Sequence, residues 1–343
     1  MADKTVGHPT GKRVTAAMVA ARAGTSVATV SLVANGKHEG RVSVRNVERV
    51  RAAIDALGYV ADHAAQSLAT GTSNIVVLVT PDASNPFFGS VISGIRAELG
   101  TPYQLLVSVT GEGRVPTAAG LGQLSALRPA GLLVEAPSET FLQEMRLQTA
   151  LVLLDAPGHD AAPPAVNFDL EAGVRDLVAH LHELGHRTLG YLAGRTATET
   201  FILRERMVED AAAGYGIAVH AADVAASIID LEAASAAFLD VWPSWSALGV
   251  TAVVCATDTH AYGVLAAARS LRLRIPEDLA VTGFDNLPYS TISDPPLTTV
   301  ELPGEALGRS GALALLAQIE GRVAERPPVL RAPLIRRAST IGR

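Results

Sequence analysis

Short apolar runs alternate with longer helical stretches over most of the chain after Asn74, and this alternation limits the possible folds more than any other sequence feature. The runs occupy residues 75–79, 105–109, 132–134, 151–154, 189–192, 252–255 and 279–281. Candidate helices between them include residues 88–99, 170–184, 204–213 and 259–271. Continuous apolar strands that alternate with helices are typical of parallel sheets covered on both faces. Because residues 74–340 are too many for one doubly wound unit, we predict two such lobes around a shared cleft.

Composition excludes several classes of protein. Hydrophobic residues make up 48% of the 343 residues, which excludes a mainly disordered chain. No stretch approaches the ~18 consecutive apolar residues of a membrane span, and residues 1–13 lack the apolar core of a secretory signal, so we expect a soluble cytoplasmic protein. Cys255 is the single cysteine, which excludes an internal disulfide. No metal-ligand spacing, nucleophile elbow, P-loop or dinucleotide motif is present, so we expect neither a cofactor nor an enzyme.

The first 70 residues differ from the rest of the chain in charge and in pattern. They carry nine basic and five acidic residues, although the whole chain has a net charge of -6. A basic segment on an acidic body suggests a head that binds a polyanion, but charge alone leaves chance as an equal alternative. Three short helices are predicted here, with Ser26 and Ser43 as caps of the second and third. The chain therefore divides into a tail (1–13), a helical head (14–59), a hinge or linker (60–73) and a body (74–340).

Residues 20–36 have the spacing of a helix-turn-helix. Gly24 provides the turn, Ser26 begins the second helix, and small alanines allow the two helices to cross closely. The first residues of such a second helix face base edges in the major groove, while hydroxyl and backbone N–H groups bind phosphates. From the spacing alone, an ordinary helical hairpin is an alternative.

These residues resemble the head of the lactose-repressor/galactose-repressor (LacI/GalR) family. The matching residues in the head and hinge are Val14-Thr15, Val19-Ala20, Ala23-Gly24-Thr25-Ser26, Thr29-Val30-Ser31, Asn35-Gly36, Ala56-Leu57-Gly58-Tyr59 and Ala64-Ala65-Gln66-Ser67-Leu68. Those in the body are Asn85-Pro86-Phe87-Phe88, Leu184-Gly185-His186-Arg187, Ile275-Pro276-Glu277-Asp278-Leu279, Gly283-Phe284-Asp285-Asn286 and Asp294-Pro295-Pro296-Leu297-Thr298-Thr299-Val300. Each motif is modest, but together they follow the family's order over about residues 14–340.

The resemblance implies a small all-α helix-turn-helix head and an α/β body of two doubly wound parallel-sheet lobes, similar to periplasmic binding proteins. The N-lobe would comprise about 74–162 plus 290–321, and the C-lobe about 163–289 plus 322–340. The partners implied are double-stranded operator DNA of partly palindromic sequence, a second copy of the chain, and a small sugar-like effector. The chain ends soon after residue 339 without added leucine heptads, so we expect a dimer rather than a tetramer.

The resemblance also assigns residues of the head to DNA binding. Val27, Ala28 and Leu32 match the base-reading positions of the recognition helix, 27–34. The family usually has Arg or His where this chain has Leu32, so a bidentate guanine contact is not possible there, and base reading must depend on shape and thymine methyl groups. The other head residues assigned to DNA contacts or to the framework beside them are Thr15, Thr25, Ser26, Thr29, Ser31, Asn35 and Tyr59.

In the family, the hinge folds into a helix on operator DNA and inserts a leucine into the minor groove. Leu68 matches that leucine, and His63, Ala64 and Ser67 would line the same groove face. An apolar wedge unstacks one base step and bends the DNA. The alternative is that Leu68 is a linker residue that packs on the body.

Effector contacts are predicted at the ends of the body strands. Phe87 and Phe88 follow the first strand, and aromatic rings there can stack on a sugar or a base, although we expect one of the two to be a core residue. Arg204 matches a family arginine that binds the effector, with a surface ion pair as the alternative. Asp155, Asp258 and Asp285 also follow strands, and their carboxylates can accept hydrogen bonds from sugar hydroxyl groups. For Asp258, helix capping is the alternative. The effector residues predicted are Phe87, Phe88, Asp155, Arg204, Asp258, Phe284 and Asp285.

The sequence therefore predicts a ligand-responsive transcriptional regulator that acts as a repressor and senses a sugar or sugar derivative. A solute-binding protein of a transport system is an alternative, since such proteins share the two-lobed body in the resemblance. An enzyme that acts on sugars is a third, although no residue cluster supports catalysis. The sequence does not identify the effector, the operator sequence or the target genes, nor whether the effector induces or corepresses.

Overall fold

The computed structural model describes residues 14–34, 36, 38–59, 73–111, 117–137, 149–159, 163–194, 199–224, 229–323 and 326–341. The chain forms two compact units, Met1–Ser73 and Asn74–Arg343. The tail, most of the hinge and the residues Asn35, His63, Ala64, Ser67 and Leu68 lie outside the described residues. Among the described residues no single helix is long and apolar enough to cross a membrane, and the first two helices meet those criteria only as a pair bent by 104°.

The first unit contains three helices: α1 (Ala16–Ala23), α2 (Val27–Ala34) and α3 (Val44–Leu57). Gly24 ends α1 with a φ of 61°, the left-handed conformation that glycine adopts without strain. The hydroxyl of Ser26 accepts a hydrogen bond from the backbone N–H of Thr29 at 3.1 Å, which confirms the predicted cap of α2. The predicted cap of α3 is wrong in detail, because Ser43 makes no side-chain capping bond. The three helices enclose a small core of Val19, Ala20, Ala23, Val30, Val33, Val47, Val50 and Ala53.

The second unit begins with a five-stranded sheet that forms a first lobe. Its strands are β1 (Ile75–Thr80), β2 (Gln104–Val109), β3 (Gly131–Glu135), β4 (Ala150–Leu154) and β5 (Ala165–Val166). They are all parallel, in the order β2-β1-β3-β4-β5. The helices of this lobe are α4 (Phe87–Leu99) and α5 (Ala118–Ser125), joined later in the chain by α10 (Gly304–Ile319). Parallel order and apolar strands agree with the predicted doubly wound lobe.

A six-stranded sheet forms the second lobe. Its strands are β7 (Thr188–Gly194), β8 (Ala218–Val224), β9 (Ala252–Cys255), β10 (Ala280–Asp285), β11 (Thr298–Glu301) and β13 (Leu334–Ile335), in the order β13-β11-β10-β9-β7-β8. The helices are α6 (Leu170–Glu183), α7 (Glu199–Ala213), α8 (Leu231–Ala247), α9 (Asp258–Ser270) and the short C-terminal α11 (Ala338–Ile341). Only β13 runs antiparallel, against β11. A separate parallel pair joins β6 (Phe168–Asp169) to β12 (Leu330–Arg331).

Strand pairing corrects the predicted lobe boundaries. Thr298–Glu301 was assigned to the N-lobe segment 290–321, but this strand pairs with Ala280–Asp285 in the second sheet. Ala165–Val166 was assigned to the C-lobe, but it pairs with Ala150–Leu154 in the first sheet. The chain therefore passes between lobes just after Val166 and just after Glu301. The physical reason is that a short strand joins whichever sheet edge its backbone can reach, which the sequence pattern does not reveal.

Candidate functional site

Helix α2 carries the predicted base-reading side chains on its outward face. Val27 and Ala28 are exposed and Leu32 is half-buried, whereas Val30 and Val33 on the opposite face belong to the head core. The three predicted base-reading positions are therefore apolar, with half of the Val27 side chain uncovered, and no charged residue occurs in the helix. Val27, Ala28 and Leu32 can contact thymine methyl groups but cannot form hydrogen bonds to base edges.

The remaining described head residues have more varied surroundings. Thr15 is exposed and its hydroxyl accepts a bond from the N–H of Met18 at 3.4 Å, so it caps α1. Ser31 is exposed, and Oγ of Ser26 lies 2.9 Å from Oγ1 of Thr29. The hydroxyl oxygen of Thr25 is buried with no partner among the described residues. Tyr59 is half-buried against the head core, so its predicted DNA contact gains no support from its position.

In the second unit, a cleft lies where strand ends of both lobes meet. It holds about 510 Å³ of space not filled by atoms, a figure that includes open solvent at its mouth. The first lobe and the crossing segments contribute Pro81, Asp82, Asn85, Phe87, Phe88, Glu135, Asp155 and Leu302. The second lobe contributes Thr200, Phe201, Arg204, Ile229, Thr257 and Asp285. This is the position at which open α/β sheets bind ligands, beyond the carboxyl ends of their strands.

Arg204 lies inside this cleft, since its exposed fraction is only 3%. Its guanidinium group lies over the ring of Phe284 at 4.7 Å and the ring of Phe201 at 5.2 Å. Nη1 donates a hydrogen bond to the carbonyl oxygen of Ala256, and Nε has no partner among the described residues. The burial contradicts the surface ion pair considered from the sequence. A buried guanidinium with a free donor is suited to bind a ligand acceptor.

Asp285 connects the two lobes at the end of β10. Its Oδ2 accepts a hydrogen bond of 3.0 Å from Nδ2 of Asn85 in the first lobe, while Oδ1 of Asn85 accepts one of 3.1 Å from the N–H of Phe87. Burial raises the pKa of Asp285 to about 8, and the nearby Asp258 carboxyl acts in the same direction, while Arg204 and Asn85 oppose the rise. The cleft therefore holds a carboxyl group that retains its proton near neutral pH.

Two further carboxyl groups lie on the first-lobe side. Asp155 follows β4 with a φ of 47°, and burial raises its pKa while Arg204 and a hydrogen bond from Thr200 lower it. Glu135 ends β3 and is buried, with Oε2 accepting a bond of 3.3 Å from the Thr80 hydroxyl. Burial raises the pKa of Glu135 well above its usual range, and the carboxyl of Asp155 raises it further. Glu135 was not among the residues predicted from the sequence, although its position directly after the run 132–134 places it at a strand end.

Phe87 and Phe88 both line the cleft and both are largely buried. Their rings meet edge to face, with centroids 5.4 Å apart. Both also belong to the main apolar core of the second unit. The expectation that one of them is a core residue therefore holds for both, and each still presents a surface to the cleft.

The structure contradicts the predicted effector role of Asp258. This residue is fully buried, and its carboxylate accepts hydrogen bonds from the Leu287 N–H at 2.9 Å, from Ser290 Oγ at 2.5 Å and from Thr299 Oγ1 at 2.6 Å. It therefore fixes the segment after β10 instead of facing a ligand. The preceding residue, Thr257, does line the cleft, and its hydroxyl caps α9 by accepting a hydrogen bond from the His260 N–H at 3.2 Å.

Phe284 also differs from its prediction. It is fully buried and does not line the cleft, because the guanidinium of Arg204 covers its ring. Phe284 therefore contributes to the site by holding the guanidinium of Arg204 in position. Within the described ranges, no group of three or more His, Cys, Asp or Glu residues is arranged to hold a metal ion.

Comparison with known proteins places both units in one family. The model of bacterial regulatory proteins of the lacI family matches residues 19–62, and that of the periplasmic binding protein-like domain matches residues 178–340. The HTH-type transcriptional regulator MalR of Streptomyces coelicolor is 33% identical over 342 residues, which cover 94% of this chain and 95% of MalR.

Two solved structures are similar over nearly the whole chain. The Lac repressor dimer bound to operator and the anti-inducer ONPF is 26% identical with a TM-score of 0.79, covering 96% of this chain and 99% of that one. The complex of the transcriptional regulator CelR with cellobiose is 26% identical with a TM-score of 0.66, covering 95% and 100%. These relatives of the chain are transcription regulators and not enzymes. The chain belongs to the lacI family of bacterial regulatory proteins.

Proposed function

We propose that this regulator is a repressor that binds a partly palindromic operator as a homodimer and senses a sugar or sugar derivative in the cleft between its lobes. The observation that carries the proposal is the cleft itself, in which one buried arginine and several carboxyl groups converge beside aromatic rings. We propose that the chain acts by binding alone, without catalysis, and that it does so on DNA in the cytoplasm.

The cleft chemistry supports a polyhydroxylated effector. Carboxylates accept hydrogen bonds from hydroxyl groups, and the planar guanidinium of Arg204 can donate hydrogen bonds to ring or hydroxyl oxygens. The rings of Phe87 and Phe88 offer an apolar surface for the face of a sugar. The structure of the relative CelR is a complex with cellobiose, which adds support for a saccharide.

We propose that the effector acts on the relative position of the two lobes. Asn85 in the first lobe donates to Asp285 in the second, so a ligand that takes the place of this bond changes what holds the lobes together. To move a regulator from 1:99 to 99:1 between two states, the effector must prefer one state by about 5.5 kcal/mol. Whether the preferred state binds DNA decides whether the effector induces or corepresses.

The head residues and the hinge would read the operator together. Val27, Ala28 and Leu32 present an apolar surface to the major groove, and Leu68 would enter the minor groove at the centre of the palindrome. The related Lac repressor was solved as a dimer on its operator, which supports a paired arrangement of two heads.

Selection of binding sites from random duplex DNA tests the DNA side of the proposal. Purified protein without effector is used at about 0.1 M salt, where phosphate contacts still contribute to affinity. We expect an enriched palindrome with a fixed central step, and the variant Leu68→Ala should lose the preference at that step alone. Absence of enrichment, with and without candidate sugars, would contradict operator binding by the apolar recognition helix.

The effector side is tested by a matched pair of arginine variants. Arg204→Lys keeps the charge but loses the planar fork and its stacking on Phe284, so we expect unchanged operator affinity and a loss of the response to the effector. Arg206→Lys is the control, because Arg206 is exposed on the same helix. Fluorescence anisotropy of labelled operator DNA measures both quantities, and an unchanged response in Arg204→Lys would contradict the proposed site.

A further inference from the structure

The described wall of the cleft carries more carboxyl groups than cationic groups. Asp82, Glu135, Asp155 and Asp285 all line it, whereas Arg204 is the one cationic side chain among the described residues that do so. The charged groups that act on Glu135 are Asp155 and Asp82, and both are acidic. Glu135 therefore faces two carboxyl groups, with the Thr80 hydroxyl as its hydrogen-bond partner within the described residues.

Two buried polar atoms around the cleft have no partner in the described part of the chain. One is Oδ2 of Asp82, whose Oδ1 accepts a bond of 2.7 Å from the Ser84 N–H. The other is Nε of Arg204, a residue that is 97% buried because its exposed fraction is 3%. Buried polar groups are satisfied in the great majority of cases, so these atoms point to a ligand that supplies donors on the acidic side and an acceptor beside the arginine.

The charge balance discriminates between classes of ligand. A phosphorylated or carboxylated sugar would bring a negative charge beside four carboxyl groups, and Arg204 is the one cationic side chain among the described lining residues. A neutral sugar supplies hydroxyl donors but no positive charge to favour the ionised forms of Glu135, Asp155 and Asp285, whose pKa values burial raises. An ammonium group supplies three donors together with a positive charge, and charge-assisted hydrogen bonds are about twice as strong as neutral ones.

We infer that the effector is a polyhydroxylated compound with a positively charged nitrogen, such as an amino sugar, and that this nitrogen binds beside Glu135, Asp155 and Asp82. The inference rests on the proposed effector role of the cleft and narrows its ligand class. The ring hydroxyls or ring oxygen of the same compound would then supply the acceptor for Arg204.

Calorimetry with matched ligands tests this inference on the full chain at neutral pH. Glucosamine, galactosamine and mannosamine are compared with their parent hexoses, and the glucosamine disaccharide is compared with cellobiose. The N-acetylated forms are neutral controls that keep the substituent. We expect at least one amine to bind at least tenfold more tightly than both its parent and its N-acetyl form. We also expect proton release on binding, seen as a dependence of the heat on the buffer, because the ammonium favours ionised carboxyl groups.

The variant Glu135→Gln keeps the size of the side chain and should reduce the preference for the amine at least tenfold, with Asp82→Asn having a smaller effect in the same direction. Glu171→Gln is the matched control, because Glu171 is exposed on α6 and pairs with Arg175 at 3.3 Å. Unchanged thermal unfolding verifies that each variant folds. An amine preference that survives in Glu135→Gln would overturn the assignment of the nitrogen to this wall.

Other outcomes overturn the inference but leave the proposed function standing. Equal or tighter binding of a neutral sugar would support sugar sensing and refute the charged nitrogen. Binding of none of these compounds, by protein that still selects an operator from random DNA, would refute the amine and keep the DNA-binding role. Arg195 lies outside the described residues, and the variant Arg195→Gln tests whether it supplies the positive charge to the wall carboxyl groups. An amine preference seen only in this variant would show that it does, and would also refute the inference.

Discussion

Asp285 gives the folded body a pH dependence of defined sign. Its pKa is about 8 in the folded protein, against roughly 3.9 for an unfolded aspartate. Between these values the folded state holds a proton that the unfolded state releases, so the contribution of Asp285 to stability is greatest below pH ~4 and falls as the pH rises toward 8. The slope for one such proton is at most about 1.4 kcal/mol per pH unit. We expect Asp285→Asn to unfold at a midpoint that declines less between pH 5 and pH 8 than that of the unsubstituted protein.

Thermal unfolding at several pH values measures this difference, with Asp278→Asn as the control. Asp278 is exposed, and hydrogen bonds from Arg274 lower its pKa to about 2, so its contribution is lost only as the pH falls through acidic values. The control variant should therefore shift the midpoint by the same amount at pH 5 and pH 8. A pH-independent shift in Asp285→Asn as well would contradict the raised pKa of that carboxyl.

Cys255 offers a second prediction at the scale of one residue. The side chain is fully buried on β9, and burial raises the pKa of its thiol well above the usual range. Because the thiolate is the reactive form, a thiol reagent such as DTNB should not react with the folded protein at pH 8. One thiol per chain should react after unfolding in urea, and rapid reaction of the folded protein would show that this strand is accessible.

The sequence identified some cleft residues and missed others for a common reason. Asp155, Arg204 and Asp285 line the cleft as the strand-end argument and the resemblance anticipated. Asp258 also follows a strand, yet its carboxylate is bound by Ser290 and Thr299, residues that are distant in sequence. Proximity to a strand end can be predicted from a sequence, whereas the direction of a side chain depends on tertiary partners.

At the scale of helices and strands, the apolar composition of a segment decided which elements could be predicted. Strands such as β1 and β9 are buried along most of their length and appear in the sequence as apolar runs. Strand β8 was missed because Ala218–Val224 is rich in alanine and includes His220 and Asp223, a composition that an edge strand tolerates. Trp242 and Trp245 both lie in α8, where their rings pack on Phe238.

The pairing of α4 with α10 depends on two glycines that allow backbones to touch. A Cβ at Gly94 would lie 2.0 Å from the carbonyl oxygen of Glu305, and one at Gly308 would lie 2.1 Å from that of Val91. Backbone atoms cannot move aside locally, so we expect Gly94→Ala to destabilise the body by about 3 kcal/mol, at the upper end of overpacking costs.

Gly89 provides the control for this prediction on the same helix. A Cβ there meets no atom within 4 Å. Since alanine favours a helix over glycine by roughly 0.5–1 kcal/mol, Gly89→Ala should be neutral or stabilising. Urea unfolding of both variants gives the comparison, and equal stabilities would show that the two helices can separate without cost.

For the whole molecule, the edge of the first sheet suggests where the second copy of the proposed dimer binds, because no described strand pairs with its outer side. Strand β2 is at the end of the strand order, and Leu106, Val107 and Val109 on it are exposed. Long apolar edge strands are normally covered, because their free backbone groups and side chains promote association. The sequence predicted a dimer by resemblance, but the exposure of this edge could be seen only once the order of the strands was known.

We therefore expect Val107→Asp to weaken or abolish the proposed dimer, because two copies of the substituted strand would place unpaired carboxylates in an apolar contact. Sedimentation analysis should show a species of twice the 35.6 kDa chain mass for the unsubstituted protein and a smaller species for the variant. Leu127→Asp is the control, since Leu127 is exposed to a similar extent elsewhere in the first lobe. The monomeric variant should also bind a palindromic operator at least tenfold more weakly, because only one head remains on each molecule. A Val107→Asp protein that stays dimeric would locate the interface on another surface.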